Sequence, residues 1–262
     1  MKRPLLLVIL ALFCGFSQEG FRKSFDLPFQ SAKFITTDNI GNLYVIADNQ
    51  ILKFSPSGKP LQNFSDMRQG ELRSVDAGNP LKVLLFYPDM ARITLLGTQF
   101  APQSTIELRN IGIQQPVLAC NSQNNGYWVF DLQDFQLKKI DLNLQLQFQS
   151  GNLLQSTGKK IVPNFMTEYN NRVYINDPVN GILVFDQFGS YFKTLPVTGL
   201  RAFQIRGNEL LYLQDNNIKA LELKLLNERE LTLPPHRDLR TFCVSDEQFY
   251  LLTTDSLFGY SY

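Results

Sequence analysis

The sequence predicts an all-β fold, a six-bladed β-propeller whose ring is closed by an N-terminal strand joining the last blade. Three observations predict it. Short hydrophobic runs recur along the chain, with centres 40, 44, 46, 38 and 38 residues apart. Each run has a strand-like neighbour before it and another after it. The last unit ends without its fourth strand, and a spare strand stands near the N-terminus. A period near 40 with strand-like runs is that of propeller blades.

The repeated centres are Leu43-Tyr44-Val45, Val83-Leu84-Leu85, Tyr127-Trp128-Val129, Val173-Tyr174-Ile175, Leu211-Tyr212-Leu213 and Phe249-Tyr250-Leu251. First strands are expected roughly ten residues earlier, around Ile35, Val75, Ala119, Met166, Gln204 and Cys243. Asn and Gly fill the turns between, as at Gly41-Asn42, Asn170-Asn171 and Gly207-Asn208, because tight turns need positive φ. Third strands are expected at 51–54, 93–96, 137–140, 182–185, 218–223 and 257–260. Fourth strands are expected at 60–64, 104–108, 144–148, 191–195 and 229–233, with 21–27 completing the sixth unit. Closure of that kind removes the open sheet edges of a linear array.

Composition bounds the function. The chain has 262 residues, 44% hydrophobic and 19% charged, with a formal net charge of +1. A packed core is expected, and no global field draws the chain to nucleic acid or an anionic membrane. The single histidine, His236, removes most histidine-based catalytic and metal sites. At the N-terminus, Lys2-Arg3, an apolar run from Leu5 to Phe13 and Gly15-Phe16-Ser17 have the layout of a secretory signal peptide. The domain reading is therefore 1–17 signal peptide and 18–262 one six-bladed propeller. Export to a bacterial periplasm or the outer cell surface is expected. Lipoprotein anchoring through Cys14 is the lesser reading, because Phe13 precedes it where a small residue is wanted. No second apolar segment approaches membrane-spanning length. Cys120 and Cys243 fall in the third and sixth units, on opposite sides of a ring, and are expected to be buried free thiols.

The clearest unit runs from Asp38 to Gly58 and reads D-N-I-G-N-L-Y-V-I-A-D-N-Q-I-L-K-F-S-P-S-G. It resembles NHL-repeat and related six-bladed propellers through Asp38, Gly41, Asn42, Tyr44, Val45, Asp48, Phe54, Ser55 and Gly58. The fourth unit matches in part, with Asn171, Tyr174, Asp177, Phe185, Asp186 and Gly189. The resemblance implies the fold; that superfamily holds binding modules and a few hydrolases, so it does not imply one activity. Some of these relatives are calcium-dependent lactonases or esterases with a metal in the channel. The strands in question here offer Asp76, Asn121, Asn164 and Glu168, within no family motif.

Two polar positions recur. An Asp follows the second strand at Asp48, Asp89, Asp177, Asp215 and Asp255, with Asp131 or Asp134 in the third unit. A basic residue precedes the first strand: Leu72-Arg73, Leu200-Arg201 and Leu239-Arg240 are three copies, and Lys33 precedes Phe34 similarly. Strand alternation puts both positions on one face of the disc. Three readings are open. Lys33, Arg73, Arg201 and Arg240 form a basic ring at a channel mouth that holds an anion or an acidic partner segment, or they pair with aspartates of neighbouring blades, or they are solvated positions. The aspartates suit turn capping. No G-x-S-x-G, H-E-x-x-H or phosphate-loop signature is present. The functional reading is a non-enzymatic extracytoplasmic interaction scaffold with an envelope or secreted protein partner, no nucleic acid and no cofactor. The alternative is a metal-dependent lactonase-like or esterase-like hydrolase using the channel.

Overall fold

A computed structural model describes residues 21–261. The signal-peptide reading over residues 1–17, with Cys14, lies outside the described residues, as does Tyr262. Strand β1 (Arg22–Pro28) comes first in the chain. Blade 1 is β2 (Ala32–Thr37), β3 (Leu43–Ala47), β4 (Gln50–Phe54) and β5 (Pro60–Ser65). Blade 2 is β6 (Ser74–Asp76), β7 (Val83–Tyr87), β8 (Arg92–Leu96) and β9 (Pro102–Glu107). Blade 3 is β10 (Pro116–Asn121), β11 (Tyr127–Asp131), β12 (Gln136–Ile140) and β13 (Leu146–Gln149). Blade 4 is β14 (Phe165–Tyr169), β15 (Arg172–Asp177), β16 (Gly181–Phe185) and β17 (Tyr191–Leu195). Blade 5 is β18 (Phe203–Arg206), β19 (Glu209–Gln214), β20 (Asn217–Glu222) and β21 (Glu228–Glu230). Blade 6 is β22 (Thr241–Val244), β23 (Gln248–Leu252) and β24 (Ser256–Ser261), completed by β1. Each blade is a four-stranded antiparallel meander, and β1 pairs antiparallel with β24 from Arg22↔Ser261 to Pro28↔Ser256. All six repeated centres fall on second strands, as the spacing predicts.

The burial pattern explains why the repeat is so hydrophobic. In β3, β7, β11 and β16 every residue is buried, because a neighbouring blade covers each face. Strands covered on both faces read as continuous apolar runs rather than alternations. The core is correspondingly divided into six apolar clusters, each between two adjacent blades. The cluster between blades 6 and 1 joins Leu43, Val45 and Phe54 to Tyr250, Leu252 and Leu257, with Phe25 and Leu27 packed against it.

The D-x-x-G-N-x-Y segment gains a physical reason. The Asp38 carboxylate accepts from the Ile40 and Asn42 amides, the Asn42 side chain and the Tyr44 hydroxyl. Gly41, at φ +84°, turns its carbonyl to the Tyr250 hydroxyl of blade 6 at 3.0 Å. One motif thus shapes the turn of blade 1 and ties it to the last blade.

Some boundaries differ from the sequence reading. The fourth strand of blade 2 ends at Glu107, because Leu108 opens a 3-10 turn over Leu108–Ile111. That of blade 3 begins at Leu146, because Leu144 sits at φ +62° in the preceding turn. That of blade 5 stops at Glu230, short of Pro234-Pro235, whose nitrogens carry no ladder donor. A short helix, α1 (Leu153–Thr157), links blades 3 and 4, capped by Asn152 and ended by Gly158 in the left-handed region.

Candidate binding site at the channel mouth

The first strands of all six blades surround a central cavity of about 1880 Å³. Its lining includes all four basic residues singled out by the sequence, Lys33, Arg73, Arg201 and Arg240. They stand where the chain enters the first strand, at one end of the channel.

The repeated Leu-Arg pair has a structural cause. Leu72, Leu200 and Leu239 are buried, and the arginine after each is exposed at the rim. The Asn49 side chain accepts from the Leu72 amide, and the Asn216 side chain accepts from the Leu239 amide at 2.8 Å. Both pairs are separated by 23 residues. The Asn after the second strand of one blade therefore positions the entry to the next, at the junctions of blades 1 and 2 and of blades 5 and 6. At the third copy, the Leu200 carbonyl accepts from Asn164 and Asn176.

The charges at the mouth are only partly paired. Lys33 bonds Glu71 at 3.0 Å, with both side chains half exposed. That contact and the nearby Arg73 hold the Glu71 carboxyl below its ordinary value. Arg73, Arg201 and Arg240 make no side-chain hydrogen bond or ion pair with another described residue. Pairing with aspartates of neighbouring blades is therefore not what these residues do. Asp48, Asp215 and Asp238 also line this end, so its formal charge balances. Asp48 and Asp215 lie beyond the second strands, in turns at φ +53° and +51°. They stand one strand spacing farther from the axis than the arginines, about 5 Å.

Asp177 and Asp131 do turn work. Burial pushes the Asp177 carboxyl up, but donors from Asn180, Val162 and Val179 outweigh it and hold the group below its usual value. Asp131 accepts from the Gln115 and Gln133 amides.

Below the rim the channel narrows. Phe34 of blade 1 and Phe165 of blade 4 belong to opposite sides of the ring, yet their ring centroids are 6.2 Å apart. Phe165 also meets Phe203 of blade 5 edge-on at 5.1 Å. Phe242 of blade 6 lines the same wall. The mouth thus has a basic rim and an aromatic constriction, beyond which the channel continues to the far end. Sequence placed these residues on first strands but gave no signal that two would meet across the axis.

The carboxylates at the far end hold neighbouring blades together, although Glu168 Oε1 and Asn121 Oδ1 are buried there without a hydrogen-bond partner among the described residues. Asp76 accepts the Asn121 amide of blade 3 at 2.8 Å. Glu168 accepts the Gln123 amide at 2.8 Å and the Trp128 indole at 3.1 Å, also from blade 3. Asn164 is at the opposite end of its strand from Glu168. Asp76, Asn121, Asn164 and Glu168 therefore do not converge on one point. Among the described residues no group of three His, Cys, Asp or Glu is placed to hold a metal ion. His236 turns one ring nitrogen to the Pro234 carbonyl and the other to the Asn216 carbonyl.

Cys120 and Cys243 are buried free thiols in blades 3 and 6. Burial pushes both well above the ordinary thiol value. A thiol reagent applied without reductant is expected to modify neither cysteine in the native protein and both in denaturant. Modification of neither in denaturant would mean a disulfide.

Comparison with solved structures follows this geometry. A streptogramin B lyase superposes with a TM-score of 0.62 at 11% identity, covering 92% of this chain and 97% of that one. The virginiamycin B lyase of Staphylococcus aureus gives 0.58 at 14%, covering 87% and 79%. The Pan2 WD40 domain of Neurospora crassa gives 0.57 at 12%, covering 92% and 95%. The chain has the β-propeller fold. At such identities the likeness speaks for architecture alone, and this propeller's neighbours include both enzymes and a WD40 domain. No family model and no curated protein matches the chain.

Proposed function

We propose that this is an exported, non-enzymatic docking propeller whose channel mouth receives an acidic segment of an envelope or secreted protein. The observation that carries the reading is the set of three guanidinium groups, Arg73, Arg201 and Arg240, at one mouth, with no hydrogen bond or ion pair to another described residue. Guanidinium forks suit carboxylates, and the planar fork is pre-organised for two bonds at once. The hydrolase alternative needs converging ligands, and among the described residues no group of three His, Cys, Asp or Glu is placed to hold a metal ion. A Staphylococcus aureus virginiamycin B lyase variant with one histidine changed to alanine is described as catalytically inactive. The one histidine here has both ring nitrogens against backbone carbonyls, outside the cavity lining.

The test is affinity capture with tagged residues 18–262 from native envelope extract, beside the triple variant Arg73→Ser/Arg201→Ser/Arg240→Ser. The wild type is expected to retain a partner that the variant, with unchanged melting, retains at least tenfold less. Equal retention overturns the reading. Export is checked by N-terminal sequencing of the mature protein, with Gln18 expected first; a lipid-modified Cys14 would indicate anchoring instead.

A further inference from the structure

We infer that this channel mouth takes the C-terminal end of a partner chain whose last residue is apolar; this rests on the docking reading above. Three features of the mouth point to such an occupant.

The first is the order of charge from the axis outward. Arg73, Arg201 and Arg240 sit at the entries to the first strands and make no side-chain hydrogen bond or ion pair with another described residue, Arg73 lying near Glu71. The carboxylates Asp48 and Asp215 lie one strand farther out. Asp238 is near Arg240 in sequence and lines the same end, and Glu71 is held by Lys33. Asp48 and Asp215 thus stand back from the axis, whereas Glu71 and Asp238 share the first-strand entries with the arginines, and the mouth has no net charge to attract an anion from afar.

The second is the aromatic lining. Phe203 and Phe242 border the cavity but are buried in the clusters between blades 4 and 5 and blades 5 and 6, so they back its wall. Phe34 and Phe165 are only partly buried and line the same cavity. The occupant must therefore present a carboxylate and an apolar group within one residue's reach. A terminal residue carries both on one α-carbon, whereas an internal Asp or Glu does not.

The third is the constriction. Phe34 and Phe165 meet across the axis at 6.2 Å and narrow the passage, although the cavity continues beyond them to Asp76, Glu168 and Arg206 at the far end. A chain end can seat against this constriction without having to pass it.

The experiment is fluorescence anisotropy with residues 18–262 and a labelled tetrapeptide ending in phenylalanine. Comparison peptides carry a C-terminal amide, or end in glycine, and unlabelled 3-phenylpropanoate competes as the free acid. The acid ending in phenylalanine is expected to bind saturably. The amide and the glycine peptide are expected to bind at least tenfold more weakly, and so is the parent peptide to Arg201→Gln and Arg240→Gln. Equal binding of acid and amide, or no saturable binding at millimolar peptide, overturns the inference. Competition by 3-phenylpropanoate at the peptide's own affinity overturns it too, in favour of a small-acid site. If capture of the envelope partner is arginine-dependent while the peptides fail, the docking reading stands and this inference falls. If both fail, both fall.

Discussion

Deletion of residues 21–29 is expected to lower the thermal midpoint by 10 °C or more and to turn the protein toward aggregation. The segment contributes the whole outer strand of blade 6, paired with β24 along its length. It also supplies Phe25, Leu27 and Phe29 to the cluster between blades 6 and 1, and Phe21 to Phe249 at 5.2 Å. Phe25 is the closest-fitted of these. A methyl group built at Gly259 would lie 2.2 Å from its ring, and one at Gly58 would lie 2.5 Å from it. The ring thus fills space left by a glycine in blade 6 and by one in blade 1, and so fastens the first blade to the last. Phe25→Ala alone is expected to cost about 3 kcal/mol, at the low end for a phenylalanine because the ring is half-buried. For a domain of this size that is about 6–12 °C. Full deletion adds an unpaired β24 edge, a template for intermolecular pairing. Calorimetry and light scattering read the two effects. A peptide of residues 20–30 added in trans should restore part of the loss. An unchanged midpoint in the truncated protein would show that β24 needs no partner.

The blades were legible because each must bury a second strand on both faces, which forces a hydrophobic run at every period. Tyr44, Trp128 and Tyr250 mark such strands unmistakably. The connectors were less legible. Helix α1 has five residues, too few for helical periodicity to stand out against a β background. The Leu-Arg repeat was visible, but its cause was not: Asn49 and Asn216 act through backbone amides 23 residues on, and no local pattern reports such a bond. The state of the arginines was open for another reason. Ion pairing depends on rotamers and radial distance, and both charge signs occur on the same face. Phe34 and Phe165 show the same limit, since their meeting depends on the ring's radius. Function is least legible where the fold brings together residues that share no period.

Lys138 and Asp131 carry the second large effect, and they explain why blade 3 tolerates a lysine on a central strand. The Lys138 side chain is 6% exposed and that of Asp131 1%, with 2.8 Å between the charged atoms. Burial lowers the affinity of Lys138 for its proton, but bonds to Asp131 and Asp134 outweigh it and raise the group above its ordinary value. Removing one member of a buried pair leaves the other charge uncompensated, at about 3–5 kcal/mol. The two single changes should differ in a definite direction. In Lys138→Met, Asp131 keeps the Gln115 and Gln133 amides as donors, so its charge is still partly met. In Asp131→Leu, those two amides lose their acceptor, and Lys138 retains only Asp134 at the exposed end. Asp131→Leu is therefore expected at the upper end of the range and Lys138→Met at the lower end. Asp131→Asn should fall below Asp131→Leu, because its side-chain oxygen still accepts the two amides. Urea unfolding of the three variants, with the Asp131→Leu/Lys138→Met double variant, measures this. The double variant should be less destabilised than the two single losses combined, since no lysine is left stranded. Equal costs for Asp131→Leu and Asp131→Asn would mean that the backbone donors contribute nothing and the pair acts through charge alone.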